Sequence, residues 1–237
     1  MKDETQPAEG EKWTFDAQVA SCFDDMLARS IPDYETMRAL VFKVGRRYVR
    51  QATEVVDIGS SNGNAIAPFV SRFGAANTFK CLEISEPMIA NLRKRFAGLI
   101  DAGVVSVLSW DLRTGVPEMF ASLILSILTV QFTPIEHRKR ILEGLYRGLV
   151  PGGALIYVEK VLGETYDLDR MLVAEYYDMK RENCYTEEQI AAKRKSLEGV
   201  LVPITAAWNV DMLHAAGFRQ VECFWRFLNF AGWVAVK

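Results

Sequence analysis

Between residues 53 and 158, short apolar runs alternate with amphipathic stretches, and no other feature narrows the fold of this chain as far. Runs at 54–58, 78–84, 104–110, 123–130 and 154–158 have the length and composition of buried strands. Between them, 64–73, 86–96 and 134–149 carry helical spacing. Gly74 stops the first, Pro87 sits in the first turn of the second, and Val150-Pro151-Gly152-Gly153 ends the third. Strands joined by helices in this rhythm predict a doubly wound, mostly parallel α/β sheet.

The rhythm breaks at both ends. Phe15, Val19, Phe23 and Met26 recur at helical spacing after a Thr14 cap, and a second helix at 34–50 completes a helical cap over 13–50. Residues 159–200 hold 17 charged side chains in 42 positions, so they read as two consecutive solvent-facing helices, an insertion after strand five. A helix at 205–216 follows. Strands at 221–227 and 230–236 then form an antiparallel terminal hairpin and bring the sheet to seven. Residues 1–12 read as a flexible tail and 13–237 as one domain.

Half the residues are hydrophobic, enough to bury a core. The longest apolar runs, such as 122–130, are too short to cross a bilayer, and no basic-then-apolar leader opens the chain, which predicts a cytoplasmic protein. Two of the 28 lysines and arginines and four of the 30 acids fall in the first twelve residues, so the remainder carries equal numbers of each sign. A protein holding many phosphates needs a basic excess, and direct nucleic-acid binding is not expected. Cys22, Cys81, Cys184 and Cys223 lack CxxC spacing, and His137 and His214 are the only histidines. Free thiols and no metal site follow.

Chemistry concentrates where strands end. In Val56-Asp57-Ile58-Gly59-Ser60-Ser61-Asn62-Gly63, two glycines at a strand-to-helix turn let the backbone approach a ligand with its N–H groups exposed. A glycine pair alone serves equally as a tight turn without a ligand. The second glycine of a dinucleotide GxGxxG would fall on Ser61, so that fingerprint does not fit. Glu83 ends strand two, where a carboxylate can chelate ribose hydroxyls, and Asp111 follows strand three, where it can accept from an adenine amino group. Each acid alone is an ordinary cap or solvated end. Asp57, Glu83 and Asp111 together mark the C-terminal edge of three successive strands, where the crevice of an open sheet lies.

The D-x-G-x-x-x-G loop from Asp57 to Gly63, the two downstream acids and the Leu149-Val150-Pro151-Gly152-Gly153 turn resemble class I S-adenosylmethionine (SAM)-dependent methyltransferases over residues 50–160 and the terminal hairpin. A narrower resemblance lies outside that frame. Trp13-Thr14-Phe15-Asp16, Arg29-Ser30-Ile31-Pro32-Asp33-Tyr34, Thr129-Val130-Gln131-Phe132, Glu159-Lys160, Met179-Lys180-Arg181-Glu182-Asn183, Lys193-Arg194 and Leu213-His214-Ala215-Ala216-Gly217-Phe218 resemble the carboxy-SAM synthase family across nearly the whole chain.

The resemblance implies a Rossmann-like fold and an unusual reaction. The SAM methyl group is carboxylated through a sulfonium ylide, prephenate supplies carbon dioxide and leaves as phenylpyruvate, and no metal takes part. The product serves a separate enzyme that modifies a wobble uridine of tRNA. Residue by residue, it implies Tyr34 over the nucleotide, Gly59, Ser60 and Ser61 along its methionine part, Glu83 on ribose, and Asp111 with Leu112 at adenine. Arg194 is implied as the cation that pairs with the new carboxylate, a bidentate role suited to guanidinium. The chain departs from the family where Ile84 replaces an asparagine after the ribose acid, and where Ser126 or Ile127 replaces one on strand four.

An ordinary methyltransferase acting on a small molecule and a non-catalytic SAM-binding partner subunit are the other two readings. The charged lid offers a homodimer surface. Tyr176 and Tyr177 with Lys180 and Arg181 can frame a dianionic substrate or simply pack. His214 reads as structural, and His137 beside Arg138 and Lys139 as surface.

Overall fold

The computed structural model describes residues 11–237. The expected tail at 1–12 lies outside the described residues except for Glu11 and Lys12, and Lys12 is tied down, its Nζ donating to the carbonyl of Glu198 at 2.7 Å. The elements run α1 (Ala17–Ser30), α2 (Tyr34–Gly45), β1 (Glu54–Ile58), α3 (Ala67–Phe73), β2 (Thr78–Glu83), α4 (Glu86–Arg95), α5 (Ala97–Asp101), β3 (Val105–Ser109) and β4 (Ala121–Ile127). They continue α6 (Ile135–Gly148), β5 (Leu149–Leu162), α7 (Tyr166–Glu182), α8 (Glu187–Leu197), β6 (Ile204–Thr205), α9 (Ala206–Ala215), β7 (Gln220–Phe227) and β8 (Phe230–Val236).

The main sheet has the order β3-β2-β1-β4-β5-β8-β7. The first five strands are parallel, and β8 runs antiparallel to both β5 and β7, so the expected terminal hairpin is present. The two-residue β6 adds an eighth strand against the end of β5. Alternation builds a core on each face. Val55, Leu123, Leu125, Ile156 and Val158 pack toward α2 and α3, while Val56, Ile58, Ile124, Leu155 and Tyr157 pack toward α6 and α9.

Several boundaries differ from expectation for local reasons. Asp16 caps α1 in place of Thr14, because its Oδ1 accepts from Val19 N–H at 2.9 Å. α2 stops at Gly45, and a turn over 46–48 redirects the chain. β5 runs on through Leu162, paired with β8 as far as Lys160, so the helical insertion begins at Tyr166 and not at 159. α5 has only five residues, too short for a periodic signal.

The strand order reverses between β1 and β4, and this switch point opens the crevice at the strands' C-terminal ends. α1 closes over it. Trp13, Phe23 and Met26 pack with Met88 of α4, and Trp13 N–H donates to the carbonyl of Ser196 at 2.9 Å, tying the N-terminal segment to the end of α8.

Candidate functional site

A cavity of about 1010 Å³ lies at the switch point, with one wall from the ends of β1 to β4 and a roof from the N-terminal segment, α7 and α8. The strand-end wall begins at Gly59, whose φ of +65° turns the chain off β1. A Cβ there would collide with Thr129, whose hydroxyl donates to the carbonyl of Ile58 at 2.9 Å, so only glycine lets the loop lie against the exit of β4. The N–H groups of Gly59 and Ser60 both donate to the carbonyl of Leu82, at 2.8 and 3.1 Å.

Glu83 clasps this loop to β2. One carboxylate oxygen accepts from Ser61 N–H at 2.8 Å, and the other accepts from Ile84 N–H at 2.8 Å and Ser85 N–H at 2.9 Å. Three backbone donors therefore fix the carboxylate at the cavity wall, with further lone pairs available to ribose hydroxyls. Asp57 is only 1% exposed, and its Oδ2 has no hydrogen-bond partner among the described residues. Burial raises its carboxyl to about 8, the nearby Arg38 charge opposing this and the Glu83 charge adding to it. A buried carboxyl that lines a cavity with one oxygen unpartnered is suited to a cationic ligand group, which favours its ionised form.

Tyr34, at the start of α2, also lines the cavity, and burial raises its phenol above the ordinary value. Arg38 follows one turn later, its guanidinium 6.0 Å from the Tyr34 ring, and faces the same space. Sequence reasoning missed Arg38, although its i+4 spacing from Tyr34 placed both on one helix face. Asp111 and the buried Leu112 close the far end. The Asp111 carboxylate accepts from Arg113 Nη2 at 2.8 Å and from Arg113 N–H at 2.9 Å, and these bonds hold it below the usual carboxylate range.

Two expected contacts do not reach the cavity. Gly63, at φ +78°, donates to the carbonyl of Ser60 at 2.7 Å, and a Cβ there would press on Leu92 and Phe96; it serves the packing of α4. Ser126 is fully buried within β4. The exit of that strand offers Ile127, Leu128 and Thr129 to the cavity instead. Ile84 does line it, with a side chain 53% exposed at the rim.

Arg194 also differs from expectation. The inward face of α8 carries Ile190, Lys193 and Ser196, and the next position, Arg194, is turned about 100° away and exposed. Lys193 is the cation that α8 gives to the cavity, 7% exposed with Nζ 5.0 Å from the Trp13 ring. Lys180 of α7, 4% exposed, lies 4.6 Å from the Tyr185 ring, and Lys160 of β5 lies 4.5 Å from the Tyr176 ring. Three lysines set on aromatic faces thus form the lid end of the cavity.

Tyr176 and Lys180 face that end, whereas Arg181 is exposed and pairs with Asp178 and Glu187. Phe15 and Phe132, centroids 5.1 Å apart, close the roof edge-to-face. His214 is exposed, with Nδ1 2.8 Å from the carbonyl of Phe218 in the turn after α9. His137 is half-buried, and its neighbour Arg138 is buried, because three backbone carbonyls, those of Gln131, Thr133 and Val202, take its donors. Among the described residues no group of three His, Cys, Asp or Glu could hold a metal ion, and no helix is long and apolar enough to cross a membrane.

Residues 55–153 match the methyltransferase domain family. The chain is 40% identical to the carboxy-SAM synthase of Methylococcus capsulatus, over 94% of this chain and 93% of that one. It is 35% identical to the synthase of Staphylococcus epidermidis, over 95% and 97%, and 34% identical to that of Escherichia coli, over 95% and 91%. Among solved structures it resembles the pyocyanin biosynthetic protein PhzM, with TM-score 0.61 at 16% identity over 97% of this chain and 63% of that one. Human N-acetylserotonin methyltransferase in complex with SAM aligns with TM-score 0.61 at 16% identity, over 93% and 55%. The chain thus spans under two thirds of these two solved proteins, and at such identity they show the class I methyltransferase fold alone.

Proposed function

The chain belongs to the carboxy-SAM synthase family, and from that premise we propose that its cavity brings SAM together with prephenate and yields carboxy-SAM and phenylpyruvate. It is a transferase that makes carboxy-SAM on a methyltransferase fold. The observation that carries the prephenate reading is the charge of the lid end. Lys160, Lys180 and Lys193 line the same cavity as the strand-end wall that would receive a sulfonium cation. Like charges repel, so a plain methyl transfer gains nothing from three ammonium groups, whereas a dicarboxylate co-substrate offsets them.

In this reading the Asp57 carboxylate takes the SAM ammonium and Arg38 its carboxylate. The backbone of Gly59, Ser60 and Ser61 lies along the methionine part, under Tyr34. Glu83 holds the ribose hydroxyls, Asp111 and Leu112 meet adenine, and Ile84 packs at the rim. SAM supplies a methyl carbon whose hydrogens the sulfonium makes acidic. The aromatic roof around Phe15 and Phe132 keeps water from that carbon.

We keep Arg194 as the group that pairs with the new carboxylate; since α8 turns it outward in one chain, this role calls for a homodimer in which it enters the cavity of a second copy. The protein works in the cytoplasm and binds no RNA itself. Its product passes to a separate enzyme that modifies a tRNA wobble uridine.

The test is to denature the purified protein after incubation with SAM and prephenate and weigh the released nucleoside. A species heavier than SAM by one carbon dioxide is expected. Only SAM or its demethylated product would move the reading to an ordinary methyltransferase. Arg194→Ala should bind SAM normally and lose carboxylation by at least about a hundredfold, the scale of a charged pair made at the reacting carboxylate.

A further inference from the structure

We propose that Lys160 is the proton carrier of the carboxylation, giving a proton to the hydroxyl that leaves the co-substrate ring and recovering one from the SAM methyl group. The inference rests on the prephenate reading above.

Its geometry singles it out among the cavity cations. Lys160 stands at the C-terminal part of β5, paired with Phe230 of β8, and its backbone N–H donates to Gln131 Oε1 at 2.7 Å. Its Nζ lies 4.5 Å from the Tyr176 ring and 5.8 Å from the Phe230 ring, so the rings fix the amine at the cavity surface. β5 is the neighbour of β4, whose exit residue Thr129 lies against Gly59. The amine therefore enters the lid end of the cavity from the sheet, two strands from β1, whose loop receives the methionine part of SAM, with the exit of β4 between them.

Its surroundings fit a group that exchanges a proton. Burial among the rings lowers Lys160 to about 8, with Asp169 of α7 opposing. Tyr176 faces it from the same helix, Gln131 from the turn after β4 and Phe230 from β8, while Lys180 and Lys193 line the same cavity. Its neighbour Glu159 is engaged elsewhere, accepting from the N–H groups of Val130 at 3.0 Å and Gln131 at 2.7 Å. A lysine poised near neutral pH both gives and takes a proton, as an arginine cannot.

The step balances without an oxidant or a metal. The ring-carboxylate bond of prephenate breaks and its electron pair enters the ring. The bond to the ring hydroxyl breaks with its pair on oxygen, and the Lys160 ammonium protonates that oxygen to water. Carbon dioxide and aromatic phenylpyruvate result. The neutral Lys160 amine then takes a proton from the sulfonium methyl, and the pair left on carbon forms the bond to carbon dioxide. Lys160 ends as ammonium, and one water is released.

Lys160→Arg keeps the charge but not the exchangeable proton. It should bind SAM and prephenate within about threefold of wild type by calorimetry and form carboxy-SAM at least about a hundredfold more slowly. Wild-type turnover should fall as pH rises through about 8, where the starting ammonium is lost. Side-chain NMR of the folded protein, with the Lys160 signal identified by its loss in Lys160→Gln, should show titration near that pH. Wild-type turnover in Lys160→Arg, a flat profile between about pH 6.5 and 9.5, or titration at the ordinary lysine value of about 10.4 would each overturn the proposal. If the arginine variant does not fold, the profile and the NMR titration decide. A wild-type protein that binds SAM but makes no carboxy-SAM from prephenate sinks the co-substrate reading and this inference together; turnover that is indifferent to Lys160 sinks the inference alone.

Discussion

The two ends of the cavity are built on opposite principles. At the strand-end wall, functional groups are fixed by the backbone: Glu83 accepts from three N–H groups, and Gly59 and Ser60 hang from one carbonyl of β2. At the lid end, long side chains are fixed by rings, with Lys160, Lys180 and Lys193 lying on Tyr176, Tyr185 and Trp13. A wall held by its own hydrogen bonds keeps its shape whether or not a ligand is there. An end lined by three lysines favours an anionic guest over a cationic one. On the proposed reading, the nucleotide meets a preformed surface and the co-substrate meets charge.

Glu83→Ala should break this contrast most severely. It leaves three part-buried backbone donors without their acceptor and, on the proposed reading, removes the ribose ligand at once. A fully buried donor left unsatisfied costs on the order of 1–3 kcal/mol, a partly wetted one less. SAM affinity by calorimetry should fall at least about a hundredfold, and the midpoint of thermal unfolding should drop. A variant that binds SAM as wild type does would mean that the loop stands without its clasp.

The same contrast explains how much was legible beforehand. Asp57, Gly59, Glu83 and Asp111 fall at successive strand ends within 55 residues, so a local pattern and the rule for open sheets located the crevice. Strand rhythm likewise gave the sheet, down to the terminal hairpin. The lid end comes from Trp13, Lys160, Lys180 and Lys193, separated by up to 180 residues, and no spacing rule joins them. Arg194 shows the limit most clearly. The resemblance pointed to Lys193-Arg194, and only the helix face, set by the inward Ile190 and Ser196, decides which of the two turns into its own cavity. Ser126 failed for a related reason: near the end of a buried strand, one residue along the chain separates the sheet interior from the crevice.

Lys193→Met sharpens the contrast from the other side. Methionine keeps an apolar stem against Trp13 and removes the charge. Prephenate affinity should weaken by about tenfold, the scale of one charge-assisted contact, while SAM affinity stays within about twofold. Both can be read by calorimetry on the same preparation. An equal loss for both ligands would show that the lid end and the strand-end wall act as one surface.

The smallest expected effect concerns Asp57, whose buried Oδ2 has no hydrogen-bond partner among the described residues. Its carboxyl, raised to about 8 by burial, is protonated in the free folded protein at neutral pH, whereas the SAM ammonium calls for a carboxylate. SAM binding should therefore release a proton and tighten as pH rises from about 6.5 to 8.5, which calorimetry in buffers of different ionisation enthalpy reads directly. Stability of the free protein runs the other way. The unfolded chain's aspartates titrate near 3.9, so between about 4 and 8 the folded state holds the extra proton and loses stability as pH rises. Asp57→Asn should remove this group's share of both slopes. It should cost SAM affinity about fivefold at pH 8.5 and almost nothing at pH 6.5, since an amide oxygen still accepts from the ammonium. If the variant keeps the wild-type pH dependence of SAM binding, the ammonium is held elsewhere and the strand-end wall is complete without Asp57.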